Sequence, residues 1–252
     1  MLLSLSEFAS LPASDLMILI AVAFAAGLVR GFAGFALSAL IMAGSVLVLP
    51  PIELIPVCYI LEGVASLLMV RGGARDADFG VVFGLVAGAL IGMPIGLLAT
   101  RVMDHDGSRL AALVLLLGLT VLQLFRISHP ILATRAGLFG TGIAAGFASG
   151  IASIGGMVVA LYVLARGGAV RQMRASLVIY LFVGMFTTLV YLFVFDVMTA
   201  TALSRGIVLA VPVAVGVMLG TFLFRPALEG IYKRFCLIIL ALLSLNGLWN
   251  LG

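Results

Sequence analysis

The sequence predicts an all-α polytopic membrane protein made of two inverted repeats, each with about five helical segments and each opening with a broken or re-entrant glycine-rich helix. Three observations predict this architecture: an apolar composition, an internal repeat and an uneven distribution of basic residues. The 252 residues are 64% hydrophobic and 10% charged, whereas a soluble domain carries about 25% charged residues. From residue 16 onward, apolar runs of spanning length follow one another between short charged segments. We therefore expect one membrane domain over residues 1–252 and no soluble domain.

Two blocks of sequence recur at nearly constant offsets. Residues 25–33 align with residues 144–152 with five identities at an offset of 119. Gly92, Gly96 and Arg101 match Gly216, Gly220 and Arg225 at an offset of 124. The alternative is a chance match, because Ala and Gly are common in this chain. We expect repeat 1 at about residues 16–126 and repeat 2 at about residues 135–251.

Each repeat opens with a long, nearly uncharged stretch that contains glycines. Residues 16–49 form a run of 34 residues in which Arg30 is the only charge. As one helix this run would be about 50 Å long, against a hydrocarbon core of about 30 Å. Residues 136–165 have the same character. Glycine is the poorest helix former after proline, so each stretch is expected to break near its glycines into two helical segments.

The remaining spans and the basic residues define a topology. Further spans are expected at residues 52–70, 79–100, 110–125, 175–195, 206–224 and 235–251. If each glycine-rich stretch returns to the face it entered from, ten basic residues share one face and three lie on the other; single crossings give eight against five. Two arrangements bring each glycine-rich stretch back to the face from which it entered. One has ten spans, and the other has six spans plus two re-entrant hairpins. Both invert the second repeat and place both termini in the periplasm of an inner-membrane protein.

Glycines at a spacing of four predict close helix packing. Gly80, Gly84, Gly88, Gly92 and Gly96 lie on one face of a predicted helix, and Gly216 and Gly220 share a face in the other repeat. Small residues at this spacing let helix backbones approach closely. We interpret both faces as packing seams, with a substrate path as the alternative.

The two predicted breaks carry the residues expected to contact a small anion. Where a helix restarts inside the membrane, its first N–H groups lack partners and its dipole presents partial positive charge. Glycines let an anion approach the backbone and serines add donors; the alternative is tight packing without a ligand. The expected contacts are Gly31, Gly34, Phe35 and Ser38 at the first break, and Ser149, Gly150, Ser153, Gly155 and Gly156 at the second.

Two ionisable residues are expected deep in the membrane, which is a functional hypothesis by default. Arg30 lies in the first break and Glu62 lies near the middle of the span at residues 52–70. Either they form a structural ion pair, or Arg30 contacts the substrate while Glu62 takes up a proton; a third reading takes Arg30 to the cytoplasmic face. Arg174, beside the apolar run at residues 175–195, either orients the chain or lines a cytoplasmic vestibule for anions.

An enzyme, a metal site and a nucleic-acid-binding protein are not expected. His105 and His129 lie between spans and far in sequence from Cys58 and Cys236, so neither a zinc site nor a nucleophile triad is assembled. The net charge of +4 comes from basic residues scattered singly between apolar runs, which indicates orientation in a membrane. No cofactor is expected. The expected partners are a small anion and the lipid bilayer, with a homo-oligomer left open.

Two segments are similar to those of a known family. Residues 30–37 (Arg-Gly-Phe-Ala-Gly-Phe-Ala-Leu) and residues 150–156 (Gly-Ile-Ala-Ser-Ile-Gly-Gly) look like the first-repeat and second-repeat segments of the sulfite exporter TauE/SafE family of membrane transporters. Arg174-Ala175-Ser176 followed by Tyr180 is also similar to the start of a late helix in that family. The chain departs from it at Ala36, where many relatives have glycine, and at residues 157–158, where a subset has prolines.

The resemblance implies a secondary transporter of sulfite, an organosulfonate or a related small anion, usually an exporter. Inverted repeats with broken helices are also a construction that secondary transporters use, with substrate bound near the midplane. Since the cell interior is negative, an anion that leaves gains about 2.3 kcal/mol per charge per 100 mV. Export therefore needs no coupling ion, whereas uptake does. An anion channel on the same scaffold is the alternative.

Overall fold

A computed structural model describes residues 2–73, 76–127, 129–166, 170–224 and 229–251. In these ranges the chain forms eleven α-helices and one 3-10 helix, and no strand. The helices are α1 Leu2–Ala9, α2 Ala13–Ala33, α3 Leu37–Ser45, α4 Pro51–Gly73, α5 Phe79–Val102, α6 His105–Leu124, the 3-10 helix Pro130–Ala133, α7 Arg135–Ala152, α8 Gly155–Arg166, α9 Val170–Val194, α10 Ala200–Leu223 and α11 Glu229–Leu251.

Seven helices among the described residues are long and apolar enough to cross a membrane: α2, α4, α5, α6, α9, α10 and α11. Large apolar side chains lie on their outer surfaces, and Phe222, Trp249 and Val102 are 87%, 86% and 84% exposed. An apolar exterior of this kind is suited to lipid rather than water. The prediction of an all-helical, multi-pass membrane protein is confirmed.

Four helices begin earlier than the apolar runs predict. α6 begins at His105, α9 at Val170, α10 at Ala200 and α11 at Glu229. Polar caps account for two of these starts: the Asp104 side chain accepts from the backbone of Gly107, and the Thr199 side chain accepts from Ala202. A span assigned from hydropathy alone begins at the first apolar residues and so leaves out a polar first turn. The short α1 has no counterpart among the predicted spans.

Each glycine-rich stretch is divided into two helices at residues with left-handed backbone. Gly34 and Ala36 have φ values of 79° and 73° between α2 and α3, and Ser153 has a φ of 59° between α7 and α8. Glycine adopts this region freely, whereas Ala36 and Ser153 adopt it at a cost of roughly 1–2 kcal/mol each. The chain therefore stops and restarts its helix at both places.

Both divided stretches fold back on themselves. In the first, a Cβ on Gly44 of α3 would lie 2.9 Å from a methyl of Val22, in the middle of α2. In the second, Gly155 lies against the Ala145 carbonyl, ten residues earlier, and α8 contacts the 3-10 helix that precedes α7. Each pair is a helical hairpin with its tip at the break.

Glycine seams join helices from opposite halves of the chain. A Cβ on Gly27 of α2 would lie 2.5 Å from the Val213 carbonyl oxygen of α10, and a Cβ on Gly88 of α5 would lie 2.6 Å from the Phe139 carbonyl oxygen of α7. Only glycine permits these approaches. The predicted seams are confirmed at Gly84, Gly88, Gly92, Gly96, Gly216 and Gly220, while Gly80 faces only its own cap residue, Asp78.

Successive seam contacts establish the helix directions. Contacts from Gly27 to Val213 and from Gly31 to Val217 make α2 and α10 parallel. The same progression along Gly88, Gly92 and Gly96 makes α5 parallel to α7. Arg101, at the end of α5, donates to the Phe195 carbonyl (2.9 Å), just before α10 begins. The pair α5 and α7 therefore runs towards the face at which α10 and α2 start, so α2 and α7 run in opposite directions.

Candidate functional site

A narrow pocket lies between the tips of the two hairpins, and we call it the central pocket. Its walls come from both breaks, from the middle of α4 and from α9: Ala36, Ser38, Ala39, Tyr59, Glu62, Ser149, Ser153, Ile154, Gly155, Gly156, Met157 and Leu181. It leaves about 20 Å³ open to the centre of a water molecule, which is room for about one water. In this conformation the walls must separate before a larger anion such as sulfite can enter.

The central pocket gathers six of the predicted site residues. These are Ser38, Glu62, Ser149, Ser153, Gly155 and Gly156. Gly31 and Gly150 instead face neighbouring helices, with a Cβ on Gly31 2.7 Å from the Thr221 nitrogen and one on Gly150 2.6 Å from the Met93 carbonyl oxygen. The side chain of Arg174 lies outside the described residues.

The remaining predicted residues at the first break also lie behind the pocket wall. Phe35 is buried, and the ammonium of Lys233 lies 5.4 Å from its ring centroid. The Gly34 carbonyl accepts a hydrogen bond from Arg30 Nη1. This carbonyl is at the C-terminal end of α2, where positive charge is favourable to the helix dipole.

Arg30 and Glu62 form a buried ion pair. The Arg30 side chain is fully buried, and its Nη2 lies 3.4 Å from Glu62 Oε2 and donates to Ser66 Oγ at 3.2 Å. Arg30 does not line the central pocket, whereas Glu62 does. Glu62 therefore lies between the guanidinium and the pocket. Its negative charge offsets the positive charge of Arg30 at the pocket wall.

The Glu62 carboxylate also occupies the N-terminus of α3. Glu62 Oε1 accepts from Ser38 Oγ at 3.0 Å and from the Ser38 backbone N–H at 3.4 Å. The N-cap residue Ala36 has a methyl side chain, which cannot accept a hydrogen bond from the first N–H groups of α3. The first restart thus already holds an anionic group, which belongs to the chain itself.

The second restart has no such group among the residues that line the pocket. α8 begins with Gly155 and Gly156 at the pocket wall, and the first N–H groups of a helix lack partners within the helix. Beside them, Ser153 Oγ is buried and makes no strong hydrogen bond in the described part of the chain; its polar neighbour there is the thiol of Cys58, a weak donor and acceptor. A buried hydroxyl with so weak a partner is costly, so this restart can take a stronger hydrogen-bond partner.

Two polar residues of the site, one in the pocket wall and one bound to Arg30, were missed by reasoning from the sequence. Tyr59 lines the pocket and its hydroxyl interacts with the side chains of Ser149 and Thr188. Ser66 binds Arg30. The signal was present, because Tyr59, Glu62 and Ser66 are spaced by three and four residues along one apolar helix and so lie along one side of it.

The described residues contain no group of three or more His, Cys, Asp or Glu side chains that could hold a metal ion. A family model described as sulfite exporter TauE/SafE matches residues 19–247. Comparisons with curated proteins and with solved structures find no match. The match covers the breaks of both hairpins, the glycines of both seams and every residue of the central pocket.

Proposed function

Because the chain belongs to the sulfite exporter TauE/SafE family, we propose that it is a secondary transporter that exports sulfite, an organosulfonate or a related small anion across the inner membrane. The family is one of membrane transporters, so the match gives no support to the anion channel considered above, and it agrees with a protein that is not an enzyme. The membrane potential favours this direction, because an outward-moving anion gains free energy without a coupling ion.

We propose an inverted repeat with two re-entrant hairpins. The opposite directions of α2 and α7, which carry the matching glycine blocks, support the inversion. α3 and α8 have nine and twelve residues, or about 13 Å and 18 Å, and neither length crosses a core of about 30 Å. Six crossings plus two hairpins therefore fit better than ten crossings. α2 is long enough to cross, but in this arrangement it is the first arm of the first hairpin. With the basic residues on the cytoplasmic side, both termini lie in the periplasm.

We propose that the anion binds at the N-terminus of α8. The observation that supports this site most strongly is the buried Ser153 hydroxyl, which makes no strong hydrogen bond among the described residues and has the weakly polar Cys58 thiol beside it. It lies next to a helix start built from two glycines. An oxyanion there would accept from Ser153 Oγ and from the first N–H groups of α8, with Ser149 and Ser38 as further donors from the pocket wall. Gly155 and Gly156 lack side chains that would cover those N–H groups.

Glu62 is proposed to take up a proton when the anion binds. The carboxylate lines the same pocket, and two like charges at short range in a poorly solvated site repel strongly. A proton on Glu62 removes the repulsion and leaves Arg30 as the net positive charge behind the site. In this proposal Arg30 does not contact the substrate. Its positive charge attracts the anion from behind the pocket wall once Glu62 is protonated.

The test compares two buried serines, Ser153 and Ser244, whose hydroxyls make no strong hydrogen bond within the described ranges. Ser244 lies in α11 and does not line the central pocket. A hydrogen bond to a charged group contributes about 1.5–3 kcal/mol, so Ser153→Ala should weaken sulfite binding roughly 10-fold to 100-fold. Ser244→Ala should leave the affinity unchanged. Sulfite binding to purified protein is measured by thermal shift and calorimetry, and equal affinities in the two variants would refute the site.

A further inference from the structure

A second cavity adjoins the central pocket, and its lining is rich in hydroxyl groups. It lies between α4, α5, α7 and α9, and its hydroxyls belong to Tyr59, Ser149, Tyr180, Thr187, Thr188 and Tyr191. We call it the hydroxyl chamber. It contains no charged residue, and its other walls are apolar residues and glycines. Thr187 and Tyr191 donate to the backbone carbonyls of Gly184 and Leu90, so the hydroxyls available to an anion are those of Tyr59, Ser149, Tyr180 and Thr188.

The chamber and the central pocket share three walls, Tyr59, Ser149 and Leu181. The Tyr59 hydroxyl interacts with Ser149, a shared wall, and with Thr188, which lines the chamber, so Tyr59 lies at the boundary between the two spaces. The chamber leaves about 30 Å³ open to the centre of a water molecule, so, like the central pocket, it must widen before an anion can enter.

The chamber also extends along α9 towards one face of the protein. Its outermost wall residue, Tyr191, donates to the Leu90 carbonyl at 2.8 Å. One helical turn further on, the Phe195 carbonyl binds Arg101. Arg101, Asp196 and Arg205 line an outer cavity of about 400 Å³ at this end. We call this end the Arg101 face.

We propose, on the basis of the function proposed above, that the hydroxyl chamber is a second station for the anion on its route between the central pocket and the Arg101 face. Neutral hydroxyls donate hydrogen bonds to a small oxyanion without the deep binding that a buried cation would produce. Transport requires sites that hold an ion weakly enough to release it. The chamber thus binds the anion weakly on its way out, while the N-terminus of α8 selects which anion is bound.

The experiment places a cysteine in the chamber and closes it covalently. Thr188→Cys adds a thiol to the chamber wall, and Val190→Cys is the matched control on the outer surface of the same helix, where Val190 is 59% exposed. The reagent is iodoacetate, an anion whose reaction with a thiolate releases iodide and leaves a thioether that sulfite does not cleave. The native Cys58 and Cys236 are buried, and the unsubstituted protein serves as the blank.

The expected result is that Thr188→Cys reacts with iodoacetate and then loses sulfite flux in proteoliposomes, while still binding sulfite in a thermal-shift assay. Val190→Cys should resist the charged reagent and keep its flux. If Thr188→Cys folds poorly, Thr187→Cys, on the same wall, is used in its place. The chamber is not on the route if the cysteine resists iodoacetate or if complete alkylation leaves the flux intact. Absence of sulfite binding to the unsubstituted protein would instead overturn the proposed function.

Discussion

The buried pair of Arg30 and Glu62 predicts a large and non-additive effect on stability. Arg30 Nη2 and Glu62 Oε2 are 3.4 Å apart, with side chains 0% and 7% exposed. At an effective dielectric constant of about 20, two unit charges at this distance attract by about 5 kcal/mol. Removal of one partner from a buried pair costs about 3–5 kcal/mol, since the other charge is left uncompensated. Arg30→Gln and Glu62→Gln should each lower the free energy of unfolding by that order.

The double variant should recover much of this loss, because it buries no unpaired charge. The four proteins form a double-mutant cycle, measured by denaturant unfolding in detergent micelles. Asp106→Asn is the control, because it breaks the exposed pair with Arg109, in which Asp106 is 77% exposed, and should cost at most about 1 kcal/mol. Additive losses in the double variant would refute the coupling. In that case the two charges would act separately, and Glu62 would not screen Arg30 from the pocket.

Three further predictions concern the seams, the proton and the topology. Gly88→Ala should lower the melting temperature, because its Cβ would lie 2.6 Å from the Phe139 carbonyl oxygen. Gly118→Ala is the control: its Cβ would have nothing within 4 Å, so the better helix propensity of alanine should raise the melting temperature. Equal shifts in the two variants would reject the seam. Flux of methanesulfonate, whose charge does not change with pH, should rise as pH falls and should lose this dependence in Glu62→Gln, so a pH profile retained by that variant would remove Glu62 from coupling. Cysteines placed at both termini should react with an impermeant reagent from the periplasmic side, and reaction only from the cytoplasmic side would overturn the inverted repeat.

Much of the fold was readable from the chain because it follows from composition and spacing. The 34-residue stretch around Arg30 is too long for one helix and carries glycines at its centre, so a break was expected there, and the structure places it at Gly34 to Ala36. The glycine faces of α5 and α10 indicated seams through their spacing of four. Hydropathy missed the first turns of α6 and α10, whose Asp104 and Thr199 caps are polar and lie outside any apolar run.

The site was less accessible to sequence reasoning, because its decisive contacts join distant segments. Ser38 binds Glu62 across 24 residues, and nothing in either local sequence indicates that this carboxylate occupies the first helix restart. The two breaks look alike as sequences, yet only the second leaves a buried hydroxyl that makes no strong hydrogen bond in the described chain. The hydroxyl chamber takes its residues from four helices, so no single stretch of sequence reveals it.

The location of the bound anion tests the central claim most directly. An experimental structure of the protein with selenite, the heavier analogue of sulfite, would locate the selenium by its anomalous signal. The account predicts selenium at the N-terminus of α8, within hydrogen-bonding distance of Ser153 Oγ and beside Gly155, with Glu62 turned from the site or protonated. Selenium bound away from both hairpin tips would contradict it.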